Sequence, residues 1–110
     1  MGTTSLELVK RIRAGVTAWG SAITEKKMFG GYCTLYNGKM SIGEIKGRLL
    51  VRVVPEKMET VLKSPFVTPM DFTGKPMKEF IFVSEGGFTT NEDLQYWIEL
   101  GIEHAQLKSN

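Results

Sequence analysis

The chain has 110 residues, a net charge of +2 and 42% hydrophobic residues, which suits one core built around one sheet and leaves no room for a second domain. Its apolar runs span only two to four residues, as in Arg48-Leu49-Leu50-Val51, far below the roughly 18 needed to cross a bilayer. The N-terminus lacks a basic start followed by an apolar run, and Leu6 stands where a myristoylation signal needs Ser or Thr, so a cytosolic protein is expected.

The single Cys33 excludes an internal disulfide and fits a reducing compartment. Charge divides unevenly: residues 1–63 carry +6 and residues 64–110 carry −4. Such a split suits either a positive face for anionic partners or solvated faces that pair with each other.

From residue 5 to residue 19, Leu8, Val9, Ile12, Val16 and Trp19 fall on one stripe at about 100° per residue, which predicts an amphipathic first helix ending at Gly20-Ser21. From Ile23 the pattern shifts to short β-branched and aromatic segments. Tyr32 to Tyr36 reads as a strand, Asn37-Gly38 is a strong hairpin signal, and Lys39 to Ile45 reads as the return strand. Lys46-Gly47 turns the chain into Arg48 to Val54, where Leu49, Val51 and Val53 alternate with Arg48, Leu50 and Arg52.

Pro55 suits the first position of a short second helix with Met58, Val61 and Leu62 on one face, and Ser64-Pro65 stops it. Two looser strands follow, Phe66 to Phe72 and Glu79 to Val83, with Pro69 marking an edge or a bulge. Ser84 to Gly87 reads as a flexible loop, and Thr89-x-x-Glu92 as a capping box that opens a last helix. Its stripe is Leu94, Trp97, Ile98, Gly101, Ile102 and Ala105, with Gly101 allowing close approach to the sheet. The expected fold is α+β in the order αβββαββα: two layers, a mostly antiparallel five-stranded sheet, helices mainly on one face.

Catalytic equipment is sparse. His104 is the only histidine, placed on the flank of the last helix where it is expected to face solvent or cap carbonyls, so no nucleophile and base pair stands out. One Cys and one His, 71 positions apart, do not suggest a metal site. Glu92-Asp93 suits the positive end of a helix dipole. Gly30-Gly31 precedes a strand instead of opening a helix, which is the wrong context for a phosphate loop and the right one for a bulge or positive-φ turn. No catalytic residue, metal or cofactor is expected, and the reading is a binding protein.

Four strings taken together carry a family likeness: Lys27-Met28-Phe29-Gly30-Gly31-Tyr32, Asn37-Gly38-Lys39-Met40, Arg48-Leu49-Leu50-Val51-Arg52-Val53, and Pro69-Met70-Asp71-Phe72-Thr73-Gly74-Lys75-Pro76-Met77. From about Leu6 to Ala105 the chain resembles the TfoX N-terminal domain of the TfoX/Sxy competence regulators. That resemblance implies a bacterial cytoplasmic α+β protein without enzyme activity, in a family whose better-known members promote expression of DNA-uptake genes alongside the cyclic-AMP receptor protein. Fuller members carry a second, helical C-terminal domain beyond the span present in this sequence.

The first expectation is therefore a regulatory module that contacts a transcription protein through its sheet and the Met28 to Tyr32 loop. The contact candidates are Lys26, Lys27, Met28, Phe29, Gly30, Gly31, Tyr32, Lys39, Arg48, Arg52, Phe72, Gly74 and Lys75. Direct nucleic-acid binding through Lys26, Lys27, Lys39, Arg48 and Arg52 is the alternative, with a small pocket around Cys33 or Glu44 a third. A homodimer, through an edge near Pro69 or an exposed sheet face, is compatible with each.

Overall fold

The computed structural model describes residues 5–28, 30–72 and 75–108. Helix α1 covers Ser5–Gly15 and buries Leu8, Ile12 and, just beyond its end, Val16, as the apolar spacing predicts. It ends earlier than expected, because Gly15 and the β-branched Val16 and Thr17 disfavour continuation. The Thr17 hydroxyl donates to the Ala14 carbonyl at 2.9 Å, satisfying one orphan acceptor of the helix end. A 3-10 segment, Thr17–Ala22, kinks at Gly20 (φ 51°) and delivers the chain to the sheet.

The sheet has six strands, not five: β1 Ile23–Met28, β2 Gly31–Tyr36, β3 Lys39–Ile45, β4 Arg48–Arg52, β5 Val67–Phe72 and β6 Lys75–Val83. The additional strand is β1, whose Glu-Lys-Lys centre hides any apolar alternation because the strand lies at the edge with residues 24–27 exposed. Every pairing is antiparallel, in the order β1-β2-β3-β4-β6-β5. Between β2 and β3, Asn37 (φ 48°) and Gly38 (φ 83°) form the two-residue turn with both φ positive that the Asn-Gly pair predicts. Lys46 (φ 54°) and Gly47 (φ 81°) repeat that geometry between β3 and β4, with the Glu44 carboxylate accepting from the Gly47 N–H at 2.7 Å.

After β4, helix α2 (Pro55–Val61) starts on Pro55 as expected and buries Val61, whereas Leu62 stays 38% exposed. The glycines after Ser84 form a 3-10 turn, Glu85–Phe88, in place of the loop expected from their composition. Phe88 is fully buried, and the Gly87 carbonyl accepts the Trp97 indole N–H at 2.9 Å. Helix α3 (Asn91–Lys108) is capped one residue later than expected, by the Thr90 hydroxyl accepting from the Asp93 N–H at 3.0 Å, because Thr89 already has helical dihedrals.

The main core joins α1 and α3 to one sheet face through Leu8, Ile12, Ile42, Leu49, Val51, Ile81, Val83, Leu94, Ile98 and Ile102. A second cluster contains Cys33, Met40, Ile45, Leu50, Met70, Phe80 and Phe82. Strand alternation puts it on the opposite face, since Cys33 pairs with Gly43, Gly43 with Leu50 and Leu50 with Phe82. The architecture is thus α+β with an antiparallel sheet and helices on one face. Among the described residues no helix is long and apolar enough to cross a membrane.

Candidate partner-binding face

The sheet face turned away from α1 and α3 carries the basic side chains of β4. Arg48 and Arg52 flank Leu50 on this face; Leu50 pairs with Phe82 of β6 and Arg52 with Phe80. The Arg48 guanidinium lies 3.8 Å from the Phe82 ring centroid, and that of Arg52 lies 5.2 Å from the Phe80 centroid. Contacts of this kind contribute about 0.5–2 kcal/mol each and fix the plane of the guanidinium.

The two arginines differ in what else they meet. An Arg52 Nη donates to Glu79 Oε1 at 3.3 Å, and His104 Nε2 of α3 lies 3.3 Å from the same oxygen. Burial works against the Glu79 charge, but the Arg52 hydrogen bond and the His104 and Arg52 charges outweigh it, so the carboxyl sits below its ordinary range. Arg48 is exposed and makes no hydrogen bond or ion pair with the described residues, so its planar fork of donors is oriented by Phe82 and unspent.

The remaining candidates do not converge on that face. Register places Lys26 on it, paired with Cys33, but three strand spacings from β4, about 14 Å away. Lys27 and Tyr32 pair with each other on the helix side, where the Tyr32 hydroxyl donates to Glu25 at 2.9 Å. Lys39 closes the β2–β3 hairpin opposite Tyr36. Gly30 has φ 77° in the β1–β2 turn, the positive-φ role expected of it, whereas Gly31 lies in β2 and is needed because a Cβ there would collide with the Glu44 carbonyl oxygen. Phe29 and Gly74 lie outside the described residues, as do the side chains of Met28, Phe72 and Lys75.

His104 corrects the sequence reading. It is 1% exposed and directed at Glu79, because the row Trp97, Leu100 and His104 forms a second buried stripe beside the expected one. Cys33 and Glu44 are both buried and lie on opposite sheet faces. No group of three or more His, Cys, Asp or Glu able to hold a metal occurs among the described residues.

Residues 16–105 match the family model described as the TfoX N-terminal domain. The chain belongs to the TfoX N-terminal domain family. Comparison with curated proteins gives no match. The matched span takes in all six strands, α2 and most of α3, so Arg48 lies within it.

Proposed function

We propose that this TfoX N-terminal domain is a non-enzymatic regulatory module of the bacterial cytoplasm that binds a protein partner in transcription through the surface around Arg48. Family membership supports a regulatory role, and the cyclic-AMP receptor protein is the partner that the family resemblance suggests. The observation that carries the reading is Arg48, exposed, stacked on Phe82 and holding unspent donors above an apolar cluster. An exposed arginine whose plane is held by an aromatic ring is the kind of residue that anchors protein interfaces, and its fork suits a partner's carboxylate.

A nucleic-acid backbone is served less well. It needs several cations free to neutralise successive phosphates, whereas Arg52 is already paired with Glu79, and Lys26 and Lys27 point to opposite faces.

The reading is tested by titrating labelled receptor protein, with cyclic AMP, against the wild-type domain and Arg48→Glu, and by profiling transcripts in a deletion strain. Saturable binding weakened more than about tenfold by the substitution, some 1.4 kcal/mol, is expected together with altered transcripts of DNA-uptake genes. No binding and unchanged transcripts would overturn it. A band shift on duplex DNA whose affinity falls steeply with salt would replace it with the nucleic-acid alternative.

A further inference from the structure

The two edges of the sheet are built differently. On the β5 edge, Pro69 lacks a backbone donor and the register with β6 breaks between Pro69 and Asp71, two devices that discourage further strand pairing. On the β1 edge, register with β2 runs unbroken from Ile23 to Met28, and residues 24–27 are exposed. That strand contains neither proline nor bulge.

Hydrogen-bond alternation fixes which groups point outward. The Asn37 N–H donates to the Ala22 carbonyl at 2.8 Å, so position 22 is turned toward β2 and, with it, Thr24 and Lys26. Glu25 and Lys27 therefore present their N–H and C=O groups to the outside, while the Ile23 N–H is taken by the Gly20 carbonyl.

We propose that β1 pairs antiparallel with β1 of a second copy, in the register that sets Lys26 opposite Lys26 on the two-fold axis. This register places Glu25 opposite Lys27 of the partner and Lys27 opposite its Glu25. Both are outward-facing positions, so each pair exchanges two backbone hydrogen bonds and joins opposite charges. The Glu25 carboxylate on the helix side of the edge accepts from Arg13 at 2.7 and 3.0 Å and from the Tyr32 hydroxyl at 2.9 Å, which leaves one of its roughly four acceptor sites for a further donor. Shifting the axis to Glu25 instead opposes two carboxylates and sets Ile23 against Lys27. Lysines on an edge usually discourage pairing. Here the alternation of Glu25 and Lys27 makes them selective for one register, at the cost of a single Lys26–Lys26 contact on the face away from α1 and α3.

Lys26 is then a non-hydrogen-bonded pair with its own copy, the position where cross-strand Cβ atoms come closest. Cys33 is the only native cysteine and is buried, so an introduced thiol reports alone. The test measures sedimentation of wild type, Lys26→Thr and Lys27→Glu up to about 200 µM, the range suited to a small interface, alongside oxidative cross-linking of Lys26→Cys and Thr24→Cys.

A concentration-dependent dimer is expected, tightened several-fold by Lys26→Thr and lost in Lys27→Glu, with Lys26→Cys cross-linking at least about tenfold faster than Thr24→Cys. Faster linking of Thr24→Cys would overturn the register. A monomer throughout would overturn self-pairing, and so would an NMR titration in which a foreign extended peptide, not a second copy, perturbs residues 23–27. Because β1 and Arg48 lie three strands apart, failure here leaves the receptor titration of the Arg48 face untouched.

Discussion

Cys33 is fully buried against Gly43, and its thiol is pushed up to about 11, first by burial and then by the Glu44 carboxylate charge. A thiol that stays protonated is a poor nucleophile. Native protein at about pH 8 should therefore resist Ellman's reagent for hours, while protein in 6 M guanidinium reacts within minutes; rapid native labelling would contradict the burial. The same shift sets a sign for stability. The folded thiol ionises at higher pH than the unfolded one, so this contribution is intact below about pH 8.5 and is lost as pH rises toward about 11. The sequence shows Cys33 as a small hydrophobe within a strand, which suffices for this outcome. His104 was harder to read. Following only Leu94, Ile98, Gly101 and Ala105 turns it outward, whereas including Leu100, four residues before it, turns it inward toward Glu79. Glu79 itself adopts φ 75°, a position no side-chain pattern announces.

At the scale of elements, the apolar stripe of α3 packs on the sheet as its spacing predicts. Gly101 was expected to permit close approach, and a Cβ there would meet the Ser41 carbonyl oxygen at 2.4 Å and its carbon at 2.9 Å. Those are backbone atoms of β3, so the collision cannot be relieved by a rotamer change. Gly101→Ala gains up to about 1 kcal/mol of helix propensity, yet must push α3 off the sheet and loosen Ile98 and Ile102. A net loss of about 1–3 kcal/mol is expected by urea denaturation, as for other overpacked sites, and an unchanged or raised midpoint would show that α3 can shift freely. Gly15→Ala serves as the contrast. Its Cβ would press on Cδ1 of Ile98, the end of a flexible side chain, so the loss should be smaller. The elements that sequence missed share one cause. The polar strand β1 and the 3-10 turn Glu85–Phe88 draw their order from neighbours: β1 from β2, and the turn from Phe66 stacked on Gly86 and from the Trp97 indole on Gly87.

For the whole molecule, the two apolar clusters raise the question of whether the chain unfolds as one unit. Leu49 and Leu50 are adjacent on β4, fully buried, and belong to opposite clusters. They share one strand, whose neighbours β3 and β6 also contribute to both clusters through Ile42 and Ile45, and through Ile81 and Phe82. Loss of either side chain must therefore loosen backbone that the other face depends on. Leu49→Ala and Leu50→Ala should each cost about 2–5 kcal/mol, with a single transition at which tryptophan fluorescence and far-ultraviolet circular dichroism coincide. Both tryptophans pack with the helix-side cluster, Trp97 within it and Trp19 against it, so their fluorescence reports Leu50→Ala only through the shared sheet. If Leu50→Ala left the fluorescence midpoint in place while lowering the circular dichroism midpoint, the Leu50 cluster would be a separate and weaker layer. Cooperative unfolding instead would mean that the Arg48 and Phe82 pair rests on the full stability of the domain, so that its geometry is fixed before any partner arrives and little ordering cost is left for binding.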